Sequence, residues 1–294
     1  MNSWPYDSSG SGDQVPTELQ YIDPSTRKHV CGYEIPSARR NSVGPLRWFK
    51  PLLQNTDVKL GCSENPTPAA KTLEQLNVLK IRPEEVVEDF LRSIKKITLD
   101  SLMNTYDRQL VNDSKVEFVI TIPAIWSDSA KELMASAAQK AGYGCHRVDF
   151  YLISEPEAIA AYTLGVIQPH EFKKDDTFII LDARDGTVDL TTYRIDALNP
   201  LRIYEMVCES GDLCVSVDLD NGFKKYIKGK IGASVLANMS QRSRSAMEKS
   251  WEEQVKYKFG APAENLLKGF EVVVPGAPDD DEMDIEEGFH TISW

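Results

Sequence analysis

The stretch DDTFIILDARDGTVDLTTYRI, Asp175 to Ile195, decides the fold. Four apolar residues, Phe178 to Leu181, run into a polar corner, Asp182-Ala183-Arg184-Asp185-Gly186, and the chain leaves through the alternation Thr187, Val188, Asp189, Leu190, Thr191, Thr192. That pattern predicts a buried strand, a tight glycine-containing turn and a returning strand. Such a hairpin carries a carboxylate, backbone N–H groups and a hydroxyl to the end of a sheet, which suits a metal-complexed polyphosphate. An ordinary hairpin with a polar tip has the same outline, because Asp and Gly are common turn residues.

Upstream, Val116 to Ile122 reads as a strand ended by Pro123. A helix follows, with Ser129 and Glu132 at capping-box spacing, Ala130, Leu133, Met134, Ala137, Ala138 and Ala141 on one face, and Gly142 as terminator. Val148 to Ile153 is a further strand, and Glu155-Pro156 opens an alanine-rich helix through Leu164. Strand, helix, strand, helix, hairpin is an α/β order. Near the N-terminus, extended pieces at Val15–Tyr21 and Val30–Ile35 flank a turn at Asp23-Pro24-Ser25. Leu46 to Lys50, between Pro45 and Pro51, has room for about one turn, with Trp48 and Phe49 as core candidates. Gly61 to Thr72 reads as a proline-containing loop, and Pro83 opens a helix whose stripe is Val87, Phe90, Leu91, Ile94 and Ile97.

Downstream, Leu201 to Cys208 continues the sheet, Glu209 to Ser216 is a small-residue loop, and a helix surrounds Leu219 to Ile227. A polar helix with the stripe Met247, Trp251, Val255, Phe259 and a short strand at Phe270–Val274 complete the reading.

Composition bounds the function. The net charge is −12, but residues 279–287 hold seven acids and no base, so the remainder carries only −5. A mildly acidic body lacks the clustered Lys and Arg that nucleic-acid phosphates require, and the acidic run reads as a solvated tail. No apolar run approaches the length of a membrane span. The cysteines number five, are scattered and never take a C-x-x-C spacing, which fits a reducing, cytoplasmic setting better than a disulfide framework or zinc site.

Three segments in order, Val119-Ile120-Thr121-Ile122-Pro123-Ala124, Ile153-Ser154-Glu155-Pro156-Glu157-Ala158-Ile159-Ala160-Ala161-Tyr162 and Leu181 to Asp189, resemble the ATPase domain of the 70-kDa heat-shock protein (DnaK-like) family. The look-alikes nearest in pattern are the divergent actin-like ATPase proteins of filamentous fungi, which also have counterparts of Arg47-Trp48-Phe49-Lys50 and Leu213-Cys214. The resemblance implies an actin-like ATPase fold, with ribonuclease-H-like α/β lobes around a cleft for ATP or ADP and Mg²⁺. By it, Lys50, Glu155 and Asp182 are the candidate catalytic residues. Asp182, facing Mg²⁺ through water, Gly186, Thr187 and Gly211 are the candidate nucleotide contacts. Pro123 and Lys131 are candidates for coupling nucleotide state to the rest of the molecule, Lys131 standing where the family commonly has arginine.

The resemblance also sets the expected domains. Residues 1–175 form a first lobe without its N-terminal phosphate hairpin, 22–110 being a peripheral subdomain and 111–175 the sheet core. Residues 176–294 begin a second lobe with the phosphate hairpin and the acidic segment 279–287. The chain departs from the pattern at Arg184-Asp185-Gly186, where the family has three glycines, and at Asp212 and Val215. Glycine leaves room for an oxygen against the backbone, and Asp185 adds a carboxylate to an anionic site. The first phosphate turn and the adenosine motif have no counterpart, as in a domain shortened at both ends or an incomplete gene model. The expectation is an ATP-binding protein with weak or no hydrolysis, or a pseudo-ATPase serving unidentified protein partners. No residue supports a substrate-binding domain.

Overall fold

The computed structural model describes residues 4, 15–37, 43–54, 68–166, 172–183, 188–212, 216–258 and 269–292. It is a mixed α/β chain with several small sheets, divided into two units: 1–182 with 188–213, and 183–187 with 214–294.

In the first unit, β1 (Glu18–Asp23) pairs antiparallel with β2 (Lys28–Cys31) across the expected turn, whose Asp23 carboxylate accepts from Ser25 N and Thr26 Oγ1. The other edge of β1 takes β3 (Leu46–Arg47), so a segment read as a turn is instead a short strand, with Leu19 opposite Leu46. Phe49 is buried, as expected, and Trp48 packs half-buried against the same core. The proline-containing loop expected over 61–72 needs correction at its end. Helix α1 (Pro68–Leu79) starts at a proline, which is tolerated in a first turn, and buries Ala69, Thr72 and Leu76.

Helix α2 (Pro83–Thr105) opens where proline and two acids predicted, with Glu85 accepting from Arg82 N at 2.9 Å. Its buried face is not wholly apolar. Beside Val86 and Val87 it buries Glu88 and Asp89, which face Arg27 and Arg92. A short α3 (Arg108–Asp113), capped by Asp107, leads to β4 (Phe118–Ile122).

Helix α4 (Asp128–Ala138) buries Ala130, Met134, Ala137 and Ala138, the face the spacing implied, and ends beyond a π turn at Gly142, whose φ of 90° suits glycine. Its cap is Ser127 rather than Ser129: Ser127 Oγ accepts from Ala130 N at 3.3 Å. Strand β5 (Phe150–Ser154) then lies parallel to β4 with Ile122 opposite Ser154, and α5 (Glu155–Val166) leaves its end. This is the β-α-β order expected of an α/β core. The sheet is covered on one side by Ala138, Ala141 and Tyr143, while Val119 on the other is 59% exposed.

The decisive hairpin forms. Strand β6 (Thr177–Ala183) returns as β7 (Val188–Leu198), with Asp175 N donating to Ile195 O and Ile195 N to Asp176 O. Only alternate residues of β6 are buried: Ile180 and Asp182 turn inward and Ile180 packs with Ala160 of α5, whereas Ile179 is 66% exposed. The unbroken apolar run therefore does not mark a strand covered on both faces. Strand β8 (Leu201–Asp212) outlasts the expected Cys208. Pairing of Val188 with Asp212, Asp189 with Gly211 and Leu190 with Ser210 supplies backbone partners to a small-residue segment read as a loop.

The second unit packs α6 (Ser216–Ile231), α7 (Ala233–Asn238) and α8 (Gln241–Ser250) with an antiparallel sheet of β9 (Phe270–Val273), β10 (Ile285–Glu286) and β11 (Phe289–Ile292) in the order β10-β11-β9. Met247 and Val255 of the expected stripe are buried, and Trp251 stacks on Phe223 with centroids 4.4 Å apart. Residue 259 of that stripe lies outside the described residues. The acidic run is ordered structure rather than a tail. Asp280 caps a 3-10 turn by accepting from Glu282 and Met283 N, Asp279 accepts from Glu287 N, and Ile285 is buried.

Burial pushes the Tyr143 phenol up to about 12 while its hydroxyl donates to Leu91 O at 3.0 Å. The folded state thus keeps a proton that the unfolded chain releases near pH 10, so stability falls as pH rises from about 10 to about 12, by on the order of 2–3 kcal/mol across the window. Unfolding midpoints measured from about pH 9 to about pH 12 should show this decline, and Tyr143→Phe should make it shallower, the raised Tyr21 phenol supplying the part that stays. An equally steep decline in the variant would put its origin elsewhere.

Candidate functional site

Two residues far apart in sequence meet at the end of the β4–β5 sheet. Lys50 Nζ donates to Glu155 Oε1 at 2.7 Å and lies 3.4 Å from the Thr121 carbonyl. The Glu155 side chain is nearly buried and that of Lys50 one-third exposed, so the pair sits at a surface with its acidic half inside.

Local structure explains both positions. Lys50 begins a 3-10 turn at Pro51–Leu53 whose Leu52 and Leu53 are buried, which anchors the backbone and leaves the lysine stem free to reach β4. The preceding Trp48 has φ 57°, a left-handed conformation that costs a non-glycine residue roughly 1–2 kcal/mol. That kink carries the chain out of β3, sends Phe49 into the core and turns Lys50 toward Glu155; strained residues of this kind gather at functional positions. Glu155 is the first residue of α5. Ser154 and Glu157 form a reciprocal capping box there, Ser154 N donating to Glu157 Oε2 at 2.7 Å and Glu157 N to Ser154 Oγ at 3.2 Å. The box fixes the first helical turn, and the helix N-terminus favours the Glu155 anion.

Pro123 follows Ile122, the register partner of Ser154, so the proline and Glu155 leave neighbouring parallel strands at the same end. Lys131 lies in the first turn of α4, beyond the turn that Pro123 starts, with its backbone N–H on Ser127 O. Asp182 is buried near the end of β6, on the face where Ile180 packs against α5. Gly211 lies in the β7–β8 ladder opposite Asp189. Arg184, Asp185, Gly186 and Thr187 lie outside the described residues.

Sequence reading missed two contributors. Trp126, buried, has its ring centroid 5.7 Å from Lys50 Nζ, and Gln54 Oε1 accepts from Ser127 N at 2.9 Å. The aromatic residue three places after Pro123 was the only available hint for the first; nothing marked Gln54. Among the described residues no helix is long and apolar enough to cross a membrane. Cys31 and Cys145 are free thiols, and burial pushes that of Cys31 up, which makes it a poor nucleophile.

No family model matches the chain. Among curated proteins it is similar to chaperone protein HscA homologs of Acinetobacter baumannii. It is 29% identical to those of strains AYE and ACICU over 177 residues, 60% of this chain and 25% of each relative. It is 28% identical to that of strain SDF over 180 residues, 61% of this chain and 26% of the relative. The chain thus spans about a quarter of the length of the curated relatives it matches.

Proposed function

We propose that this chain is a heat-shock-70-like ATP-binding protein of the actin-like ATPase fold, with weak or no hydrolysis. The observation that carries the reading is the Lys50–Glu155 pair: two residues assigned to one nucleotide cleft from separate motifs lie 2.7 Å apart beside Pro123. The distant, partial likeness to HscA chaperones supports the family-level statement. In this reading the lobes divide near residue 175, Lys50 faces the terminal phosphate, Glu155 and Pro123 sense it, and Lys131 relays its state outward. Gly186, Thr187 and Gly211 approach the phosphates.

The donor chemistry fits a hard cation. Glu155 and Asp182 are buried carboxylates, and Mg²⁺ characteristically takes one or two carboxylates together with phosphate oxygens and waters. When bound, the ion would neutralise phosphate charge. This chain's part is to hold Asp182 toward it and to keep Lys50 preset on Glu155. Phosphoryl transfer rests on positioning and charge, so Arg184-Asp185 in place of glycines argues for impaired turnover. Free thiols at Cys31 and Cys145 favour a cytoplasmic setting.

A non-catalytic module for protein contacts is the second reading, favoured by apolar side chains standing on sheet faces, among them Val119, Ile179 and Leu181. Calorimetric titration separates the two. Micromolar binding of Mg-ATP, weakened at least about tenfold in Asp182→Ala (about 1.4 kcal/mol), is the expected result. No heat at millimolar nucleotide would leave the protein-contact reading standing.

A further inference from the structure

Lys50 is held by more than its ion pair. The Trp126 ring that flanks the ammonium is only 6% exposed and its centroid lies 5.7 Å from Nζ, within reach of a cation–π attraction, while the Lys50 side chain keeps one-third of its surface in water. The ring is itself fixed from two directions. Trp126 N donates to Pro123 O at 3.3 Å, closing the turn after β4. The next residue, Ser127, is gripped by Gln54, whose Oε1 accepts from Ser127 N at 2.9 Å and from Ser127 Oγ at 3.2 Å. Gln54 closes the 3-10 turn that Lys50 opens, its N–H bonded to Pro51 O. The segment bearing the ammonium and the turn bearing the indole are therefore joined twice, at Lys50–Trp126 and at Gln54–Ser127.

We propose that Trp126 is a positioning residue for Lys50: its ring sets where the ammonium rests against Glu155, and the Gln54–Ser127 bonds set the ring. Glu155 alone would attract the cation from any direction that a flexible four-carbon stem allows; carboxylate, carbonyl and ring together leave one resting place. Resting on the reading of Lys50 as the phosphate-facing cation, the consequence is regulatory. The ammonium occupies either the Glu155–Trp126 seat or an anionic ligand, and its departure uncovers the ring at the head of the turn leading into α4.

The test is the rate at which Lys50 is labelled by a dilute amine-reactive reagent, read by peptide mass spectrometry on the full chain without nucleotide. Trp126→Leu and Gln54→Ala should label Lys50 about two- to fivefold faster than wild type, the range expected for losing a contact of this class. Trp126→Phe, which keeps a ring face, should restore most of the protection, a rescue that loss of packing alone does not produce. Lys224 and Lys256, in the other unit, serve as internal references. If Trp126→Leu unfolds, all lysines accelerate together and the exposed Gln54 decides through its alanine variant. Unchanged Lys50 labelling in Gln54→Ala, or in a folded Trp126→Leu, overturns the proposal. Repeating the measurement with Mg-ATP addresses the other premise: variant effects that persist while nucleotide leaves wild-type Lys50 labelling unchanged would sink the phosphate reading and keep the positioning role.

Discussion

Asp89→Ala should destabilise the first unit by about 2–3 kcal/mol, an effect large enough to lower its melting transition by roughly 5–10 °C. The carboxylate is 1% exposed and accepts three charged or phenolic donors: Tyr21 Oη at 2.8 Å and Arg27 Nε at 2.8 Å on one oxygen, Arg92 Nη1 at 2.8 Å on the other. Alanine would take from the Tyr21 hydroxyl its 2.8 Å acceptor and leave the two guanidiniums with Glu88 as the remaining carboxylate that both face. Arg27 and Arg92 are 33% and 47% exposed at the side chain, so water recovers part of their solvation, which holds the expected cost below that of a wholly buried pair. Asp89→Asn keeps an acceptor and should cost about half as much; Tyr21→Phe, which removes one donor, about 1 kcal/mol. Burial, reinforced by the Asp89 carboxylate, pushes the Tyr21 phenol well above its ordinary range, so alkaline solution should destabilise the same junction. Hydrogen exchange over residues 19–31 would localise the loss, because Arg27 also donates to Glu85 O and ties the β1–β2 hairpin to α2. A cost under about 0.5 kcal/mol for Asp89→Ala would mean that the cluster is solvated surface in practice.

The contrast between this cluster and the Asp175–Ile195 hairpin shows what a single sequence discloses. The hairpin is local: an apolar run, a polar corner and an alternation specify it, and β6 and β7 follow. The α4 face was legible for the same reason, since 3.6-residue spacing is written within the helix. Asp89 was not, because an acid between Val87 and Phe90 reads as solvated until Tyr21 and Arg27 arrive from the hairpin some sixty residues earlier. The strand extension to Asp212 and the pairing of β10 with β11 are likewise partner effects: Gly211 and Ser210 have no strand preference of their own, and Ile285 hides among seven acids. At the candidate site, Pro123 and Glu155 could be aligned from the β-α-β order. The assignment of Lys50 and Glu155 to one cleft came from the family resemblance alone, and their direct contact was not legible, for no periodicity links a 3-10 turn to a helix start 105 residues later.

Replacing both Arg184 and Asp185 with glycine should tighten Mg-ATP binding by about tenfold, equivalent to about 1.4 kcal/mol. Two effects contribute. Glycine at consecutive corner positions frees the backbone to turn N–H groups toward an oxyanion and removes side-chain bulk from its path. Loss of Asp185 also removes a like charge, which at about 4 Å and an effective dielectric near 20 repels a phosphate charge by up to about 4 kcal/mol. Loss of Arg184 takes away a compensating cation, so the net gain falls well short of that bound. Asp185→Asn separates the contributions, since it removes charge and keeps bulk. If repulsion dominates, the single change recovers most of the gain and the benefit shrinks in high salt. If backbone freedom dominates, only the double glycine responds, and salt matters little. Paired calorimetric titrations at low and high ionic strength distinguish these outcomes. Identical affinity for wild type and both variants, with Asp182→Ala also silent, would show that the corner after β6 is an ordinary hairpin tip, and the nucleotide reading would then rest on Lys50 and Glu155 without a phosphate loop to complete it.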